Sequence, residues 1–435
     1  MNPIMKMWYD SSLPSKLAER ENILKEKAQL RRDVKTIIDE VRRHGDMALI
    51  RFTREFDNVS LDIKNLKVTA AEIEEAYKKV GKEQVIALES IKERVETIEK
   101  LVLEQMNVDM EVDGICVQIR PRPIESVGCY VPGGEAAYPS TLIMSVAPAK
   151  LAGVSRVVVC SPPKVNGSIN PLTLVAADIC NVDEFYRVGG AQAVAAMAYG
   201  TETIKPVRKI VGPGNKYVTM AKLLVSEDVA IDMPAGPSEL LVLADETADP
   251  RLVALDLCSQ AEHGPDSIVG LITTSKKLAE KVLSELGKIA DSAPRAAIIT
   301  KVLSNNGFII VCETVDRMVE LANAFAPEHV EIVAQNSEEI ADKMLTAGLI
   351  LVGSFSPVAL SDYYSGTNHV LPTGGFGKTF SGLSVLNFVR RVAIVECSRD
   401  GLLKAQKIVK VLAEAEGLPN HYKAIEGRFE VEALK

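Results

Sequence analysis

The chain contains only five histidines in 435 residues, and four of them lie in short polar motifs. One motif is the dipeptide Glu328-His329, which follows Pro327 and precedes a run that predicts a strand. Imidazole suits proton transfer near neutral pH, and burial can bring a glutamate into the same range. The pair predicts two bases that act on successive proton transfers. A helix N-terminal glutamate beside an exposed histidine is an equally good interpretation of the dipeptide alone.

The other three motifs combine histidine with amide and carboxylate side chains. They are Gln260-Ala261-Glu262-His263, Ser365-Gly366-Thr367-Asn368-His369 and Glu416-Gly417-Leu418-Pro419-Asn420-His421. Gln260 and His263 are three residues apart at the end of a predicted helix, which places both side chains on one face. Asp362 and His421 could add a carboxylate and a second imidazole to a metal site. Each of these residues also has a simpler interpretation as a helix cap or a surface residue, and glutamine is a poor zinc ligand.

Glycine-rich turns follow several predicted strands, at residues 131–134, 188–192 and 211–215. Turns of this kind can present backbone N–H groups to a phosphate. The sequence has no GxGxxG fingerprint, so a standard dinucleotide site is not supported. Residues 374–379 end in Gly-Lys-Thr, but Pro372 stands where a P-loop needs its first glycine.

All of these motifs except Glu416–His421 lie within an alternation of β-branched runs and helix-length segments that begins near residue 115. The alternation predicts an α/β fold with mostly parallel sheets covered by helices. The strands are expected at 156–160, 184–188, 209–211, 240–244, 267–274, 308–312, 330–334 and 349–352. The main helices are expected at 172–180, 191–199, 250–263, 276–289, 315–325, 338–347 and 401–416.

We therefore predict two tandem Rossmann-like, doubly wound lobes, with a hinge near residues 233–238. The first lobe would span 26–236 and include a helical N-terminal part, and the second would span 237–375. A helical arm over 1–25 and a helical tail over 376–435 complete the prediction. The apolar face of the N-terminal helical part consists of Ile37, Ile38, Val41, Ala48, Leu49 and Phe52.

The bulk composition excludes several classes of protein. A net charge of −8 argues against a nucleic-acid partner, which would require a basic face. No apolar run is long enough for a membrane span, and the N-terminal segment lacks the apolar core of a secretory signal. Seven cysteines are scattered without a CxxC pair, which predicts reduced core residues in a cytoplasmic protein.

Taken together, the motifs resemble those of the histidinol dehydrogenase family over roughly residues 15–425. The strings that carry the resemblance occur in one order: 212–215 (GPGN), 232–239 (DMPAGPSE), 259–264 (SQAEHG), 325–329 (FAPEH), 365–373 (SGTNHVLPT) and 416–421 (EGLPNH). The resemblance implies a homodimer that oxidises L-histidinol twice with two NAD⁺, through L-histidinal, to L-histidine.

The resemblance also implies a role for each candidate residue. Zinc would be bound by Gln260, His263, Asp362 and His421. His329 would take the alcohol proton in the first oxidation, and Glu328 would activate water before the second. The substrate would be contacted by the zinc ligands and the catalytic residues and also by Ser238, His369 and Glu416. NAD⁺ would be contacted by Tyr130, Gln192 and Asn215. The C-terminal tail would cross to the partner subunit, so that each active site is shared.

Two other functions fit the residues taken without the resemblance. A zinc hydrolase could use Glu328 to activate a metal-bound water, and would turn over without NAD⁺. A non-catalytic binding protein could hold a small molecule between two α/β lobes, but would have no use for two adjacent bases. Formation of NADH from histidinol distinguishes the dehydrogenase from both.

Overall fold

The computed structural model describes residues 4–9, 28–133 and 137–433. The chain divides into two compact units. The first comprises Met1–Glu99 and Ile124–Phe388, and the second comprises Lys100–Pro123 and Val389–Lys435. Among the described residues, no helix is both long enough and apolar enough to cross a membrane.

The strands of the described residues are mostly three to six residues long, the usual length in sheets of this kind. In chain order they are β1 (Lys6–Tyr9), β2 (Val108–Val112), β3 (Ile115–Pro123), β4 (Ser126–Tyr130), β5 (Arg156–Cys160), β6 (Glu184–Tyr186), β7 (Lys209–Val211), β8 (Ala230–Ile231), β9 (Glu239–Ala244), β10 (Ile268–Thr273), β11 (Gly307–Val311), β12 (His329–Val333), β13 (Leu349–Val352) and β14 (Val389–Cys397).

The helices of the described residues vary more in length. They are α1 (Ala28–Asp57), α2 (Ala70–Tyr77), α3 (Lys82–Glu104), α4 (Pro139–Leu151), α5 (Pro171–Ile179), α6 (Gly190–Tyr199), α7 (Lys216–Val225), α8 (Pro250–Ala261), α9 (Lys276–Ser292), α10 (Ala296–Asn305), α11 (Val315–Phe325), α12 (Ser337–Asp342), α13 (Val358–Tyr363), α14 (Arg399–Ala415) and α15 (Pro419–Ala433). Helix α1 is interrupted at Gly45, whose φ of 49° and ψ of −131° are not helical.

The first unit contains two parallel sheets with the same strand order. One sheet runs β6-β5-β4-β7-β8, and the other runs β1-β11-β10-β9-β12-β13. Numbered along the chain within each sheet, and with β1 left out, both orders are 3-2-1-4-5. This is the doubly wound arrangement, so the predicted α/β fold with two Rossmann-like sheets is confirmed.

The central strands are apolar at nearly every position because helices cover both faces of each sheet. In β9, Leu240 and Val242 belong to one core cluster, whereas Leu241 and Leu243 belong to the cluster on the opposite face. Helix α1 contributes the six apolar residues predicted for its inner face, all of them buried, to the core around the first sheet.

The second unit is built around an antiparallel sheet of order β14-β3-β2, together with helices α14 and α15. A hairpin turn at Asp113-Gly114 joins β2 to β3, and both turn residues have positive φ, at 53° and 77°. Asp-Gly in this conformation is a favoured hairpin turn because its twist matches that of the strands.

Two of the sequence predictions are wrong at defined segments. Residues 6–9 of the predicted helical arm form β1, which pairs with the edge strand β11 through main-chain hydrogen bonds that leave little trace in sequence. The remaining residues of that arm, apart from residues 4 and 5, lie outside the described part of the chain. The predicted helical tail contains β14, and residues 100–123, assigned to the first lobe, group with β14 in the second unit.

Candidate active site

A cavity of about 760 Å³ lies in the first unit and is lined by residues from both parallel sheets. From the first sheet come the segments that follow the carboxyl ends of β4 and β7, including Thr141 and Asn215. From the second sheet come the segments that precede β9 and β12, including Ser238 and Glu328. The volume suits a small ligand with part of a cofactor, and the carboxyl ends of β4 and β7 are where a doubly wound sheet binds ligands.

Glu328 and His329 lie at the start of β12, after a turn in which Ala326 has a left-handed φ of 49°. Both side chains are buried, and Glu328 Oε2 is 3.6 Å from His329 Nδ1. The Glu239 N–H donates to the same Glu328 oxygen at 2.7 Å, which fixes the orientation of the carboxylate. Neither ring nitrogen of His329 has a hydrogen-bond partner, although both are buried. The ring lines the cavity, and its nearest charged neighbour is the Glu328 carboxylate.

The electrostatics around His329 favour its protonated form. Burial acts to lower the pKa of His329, but the carboxylates of Glu328 and Asp362 outweigh it, so the pKa lies above its usual value. A proton accepted by this imidazole would therefore be stabilised by two neighbouring negative charges.

Gln260, His263 and Asp362 all line the same cavity. Gln260 is 1% exposed, and its Oε1 has no hydrogen-bond partner. The predicted helix ends at Ala261, so His263 lies in the following turn and not on the helix face that its spacing suggested. An orphaned amide oxygen, an imidazole and a carboxylate are donors that suit a divalent cation. No group of three or more histidine, cysteine, aspartate or glutamate side chains in the described part of the chain is placed to hold a metal.

His369 lines the cavity beside Asp362, and its ring is held by two hydrogen bonds. Its Nδ1 is 3.1 Å from the Asp362 carbonyl oxygen, and its Nε2 is 3.2 Å from Thr141 Oγ1. A carbonyl oxygen can only accept, so Nδ1 donates, and in the neutral ring Nε2 accepts from the Thr141 hydroxyl. Burial lowers the pKa of His369, and the Asp362 carboxylate offsets only part of that effect.

The three residues that the sequence resemblance predicts to contact NAD⁺ occupy two places on the first sheet. Tyr130 ends β4, and its buried hydroxyl accepts a hydrogen bond from the Gly190 N–H at 3.2 Å. Gln192, two residues further along α6, is buried with Oε1 unpartnered. Asn215 lines the cavity and caps α7 by accepting from the N–H groups of Tyr217 and Val218.

Glu416 and His421 belong to the second unit, at the end of α14 and in α15, and both are exposed. The structure therefore brings together Ser238, Gln260, His263, Glu328, His329, Asp362, His369 and Asn215 around one cavity, and leaves these two residues in a separate unit.

Tyr138 and Thr141 are among the cavity residues that the sequence analysis missed. Both follow β4 at the start of a helix with Pro139 in its first turn. The sequence contains a pattern that indicates them, because a strand followed by a Pro-initiated helix is typical of the ligand-binding end of a parallel sheet.

Two doubly wound sheets with a common cavity, and a buried histidine–glutamate pair in its wall, define an α/β enzyme equipped for proton transfer. The chain belongs to the histidinol dehydrogenase family, because the family model described as "Histidinol dehydrogenase" matches residues 20–429. It is accordingly a dehydrogenase, and its predicted membership of this family is confirmed.

Individual relatives support the assignment over most of the chain. The histidinol dehydrogenase of Clostridium acetobutylicum is 44% identical over 434 residues, covering 99% of this chain and 100% of the relative. That of Archaeoglobus fulgidus is 46% identical over 397 residues, covering 91% and 95%. The crystal structure of histidinol dehydrogenase from Elizabethkingia anophelis aligns over 100% of both chains with a TM-score of 0.90 and 35% identity.

Proposed function

We propose that this chain oxidises L-histidinol to L-histidine with two NAD⁺, through L-histidinal, as the last two steps of histidine biosynthesis. The observation that carries the proposal is the buried His329–Glu328 ion pair at the cavity wall. Family membership supplies the substrate, and the cavity supplies the space for it.

The first oxidation needs a base and a hydride acceptor. His329 accepts the hydroxyl proton of histidinol while hydride leaves the carbinol carbon for NAD⁺, which yields histidinal and NADH. The raised pKa of His329 supports this role, since the protonated product is stabilised by the carboxylates of Glu328 and Asp362.

The second oxidation needs a water to add to the aldehyde. Glu328 removes a proton from that water, and the hydrated aldehyde passes hydride to a second NAD⁺, so that the product is the carboxylate. The hydrogen bond from the Glu239 N–H at 2.7 Å holds one Glu328 oxygen, which fixes the direction of the carboxylate.

We assign zinc to Gln260, His263, Asp362 and His421. The orphaned Gln260 oxygen and the cavity positions of His263 and Asp362 support three of these ligands. We propose that His421 and Glu416 come from a second copy of the chain in a homodimer. When bound, the cation would hold histidinol through its imidazole and amine nitrogens, and Ser238 and His369 would make further contacts.

We propose that NAD⁺ binds beside Tyr130, Gln192 and Asn215. We also propose that the protein acts in the cytoplasm. The unpartnered Gln192 oxygen and the position of Asn215 after β7 support the cofactor site. No disulfide joins cysteines among the described residues, which suits a reducing compartment.

The direct test measures NADH absorbance with limiting L-histidinol, before and after chelation and zinc addition. Two NADH per histidinol, lost with the metal and restored by zinc, are expected. Absence of NADH from fully metallated protein would reject the proposed substrate, and turnover without NAD⁺ would favour a hydrolase.

A mixing experiment tests the shared site. A His329→Ala protein and a His421→Ala protein should each be inactive. After subunit exchange, mixed dimers should regain part of the activity, because one of their two sites would contain no substitution. No recovery from verified mixed dimers would place both residues in the same subunit's site.

A further inference from the structure

An ion pair that no catalytic assignment uses lies in the first unit, between Lys222 in α7 and Asp232 just after β8. The two side chains are only 2% and 0% exposed. A charged pair so completely removed from water pays a large desolvation cost, and replacement by apolar residues of similar volume often leaves stability unchanged or improved. Stability alone is therefore a poor explanation for these two residues.

The contacts of the pair are with the main chain of two loops. The Lys222 ammonium donates to the carbonyl oxygens of Gly212, at 2.9 Å, and Met233, at 3.0 Å. Asp232 Oδ2 accepts from the Gly212 N–H at 2.8 Å. Asp232 therefore binds the N–H of Gly212, and its ion-pair partner Lys222 binds the carbonyl of the same residue.

Both loops line the cavity. Loop A, residues 212–215, follows β7 and carries Asn215 to the cavity wall, and loop B, residues 233–238, leads into β9 and carries Ser238 there. Gly212 has a φ of +111°, and a side chain there would lie 2.2 Å from the Tyr130 carbonyl oxygen. Loop A therefore packs too closely on β4 for its position to be adjusted freely.

A second contact joins the same loops. The Thr219 hydroxyl, from the turn of α7 that precedes Lys222, donates to the Ala235 carbonyl oxygen at 2.9 Å. One face of α7 therefore hydrogen-bonds to loop B through Thr219 and to both loops through Lys222.

We propose that Lys222 and Asp232 are positioning residues that hold loops A and B together, so that Asn215 on one and Ser238 on the other face the same ligands. This rests on the proposed function in assigning NAD⁺ to Asn215 and substrate to Ser238. A misplacement of about 1 Å in an active site can weaken catalysis by about a hundredfold.

The test replaces the pair by Lys222→Met with Asp232→Asn, which removes both charges but keeps an acceptor for the Gly212 N–H. The matched control is Arg156→Met with Glu184→Gln, which removes a half-buried ion pair of 2.6 Å whose residues do not line the cavity. Calorimetric NAD⁺ titration, KM and kcat, urea midpoints and hydrogen exchange in peptides covering loops A and B are compared.

We expect the Lys222–Asp232 double variant to bind NAD⁺ about ten-fold more weakly and to exchange faster in both loops. Its urea midpoint should remain close to that of the unsubstituted protein. The control should leave NAD⁺ binding and loop exchange unchanged. Unaltered exchange in loops A and B, or NAD⁺ binding equal to that of the unsubstituted protein, would overturn the proposal.

A milder variant covers the case in which the double variant fails to fold. Thr219→Val removes only one hydroxyl, and it should raise exchange in loop B and weaken NAD⁺ binding to a smaller extent. Exchange needs neither cofactor nor substrate. If the unsubstituted protein failed to bind NAD⁺ or to oxidise histidinol, the proposed function would be rejected. The role of the Lys222–Asp232 pair would still be tested by hydrogen exchange in loops A and B.

Discussion

A buried carboxyl pair should make the stability of this protein fall as pH rises. Glu331, in β12, is 2% exposed and hydrogen-bonds through its side chain to Asp256 of α8. Burial, reinforced by the Asp256 carboxylate, raises the pKa of Glu331 from 4.5 to about 9. Burial also raises the pKa of Asp256, and its hydrogen bond with Glu331 opposes that increase.

Between pH 4.5 and about 9 the folded protein holds a proton on Glu331 that the unfolded chain has released. Folding is therefore favoured at the acidic end of this range and loses stability towards the alkaline end. For one such proton, the free energy of unfolding falls by on the order of 3 kcal/mol between pH 6 and pH 8.

The substitution Glu331→Gln should remove this contribution, because the amide keeps the volume and a donor for Asp256 but does not titrate. Urea unfolding at pH 6, 7 and 8 would be measured for the unsubstituted protein, for Glu331→Gln and for the exposed control Glu338→Gln. The free energy of unfolding should fall less steeply with pH in Glu331→Gln only. Equal slopes in all three proteins would refute the assignment of a protonated Glu331.

Three further results are expected. Thr141→Val, which removes the hydroxyl that donates to His369 Nε2, should raise KM for histidinol several-fold with little change in the urea midpoint, and Thr141→Ser should restore it. Glu328→Gln, assayed separately with histidinol and histidinal, should spare the first oxidation more than the second; equal losses would contradict its role as the water activator. Gly212→Ala should lower the free energy of unfolding by about 1–3 kcal/mol, because Gly212 has a φ of +111° that alanine rarely adopts. Gly287→Ala, in α9 with open space around it, should raise the free energy of unfolding by about 0.5–1 kcal/mol.

The sequence predicted the two parallel sheets well because their strands are short apolar runs separated by helix-length segments. The strand at 209–211 and the helix at 315–325 have the predicted limits. The β2–β3 hairpin was missed although Asp113-Gly114 is a strong turn signal, because its strands carry charged residues and stand apart from the α/β alternation. Strand β14 pairs with a segment more than 250 residues away, and no local pattern specifies such a partner.

The sequence by itself determined the family, the α/β class and the residue types available for catalysis, since motifs such as Glu328-His329 are local. Tertiary structure decided which of these residues meet. The carboxyl ends of β4 and β7 and the starts of β9 and β12 border one cavity only after both sheets have formed. Tertiary structure also decided that Lys222 and Asp232 are paired and buried, because burial and pairing depend on packing between elements and not on neighbours in the chain.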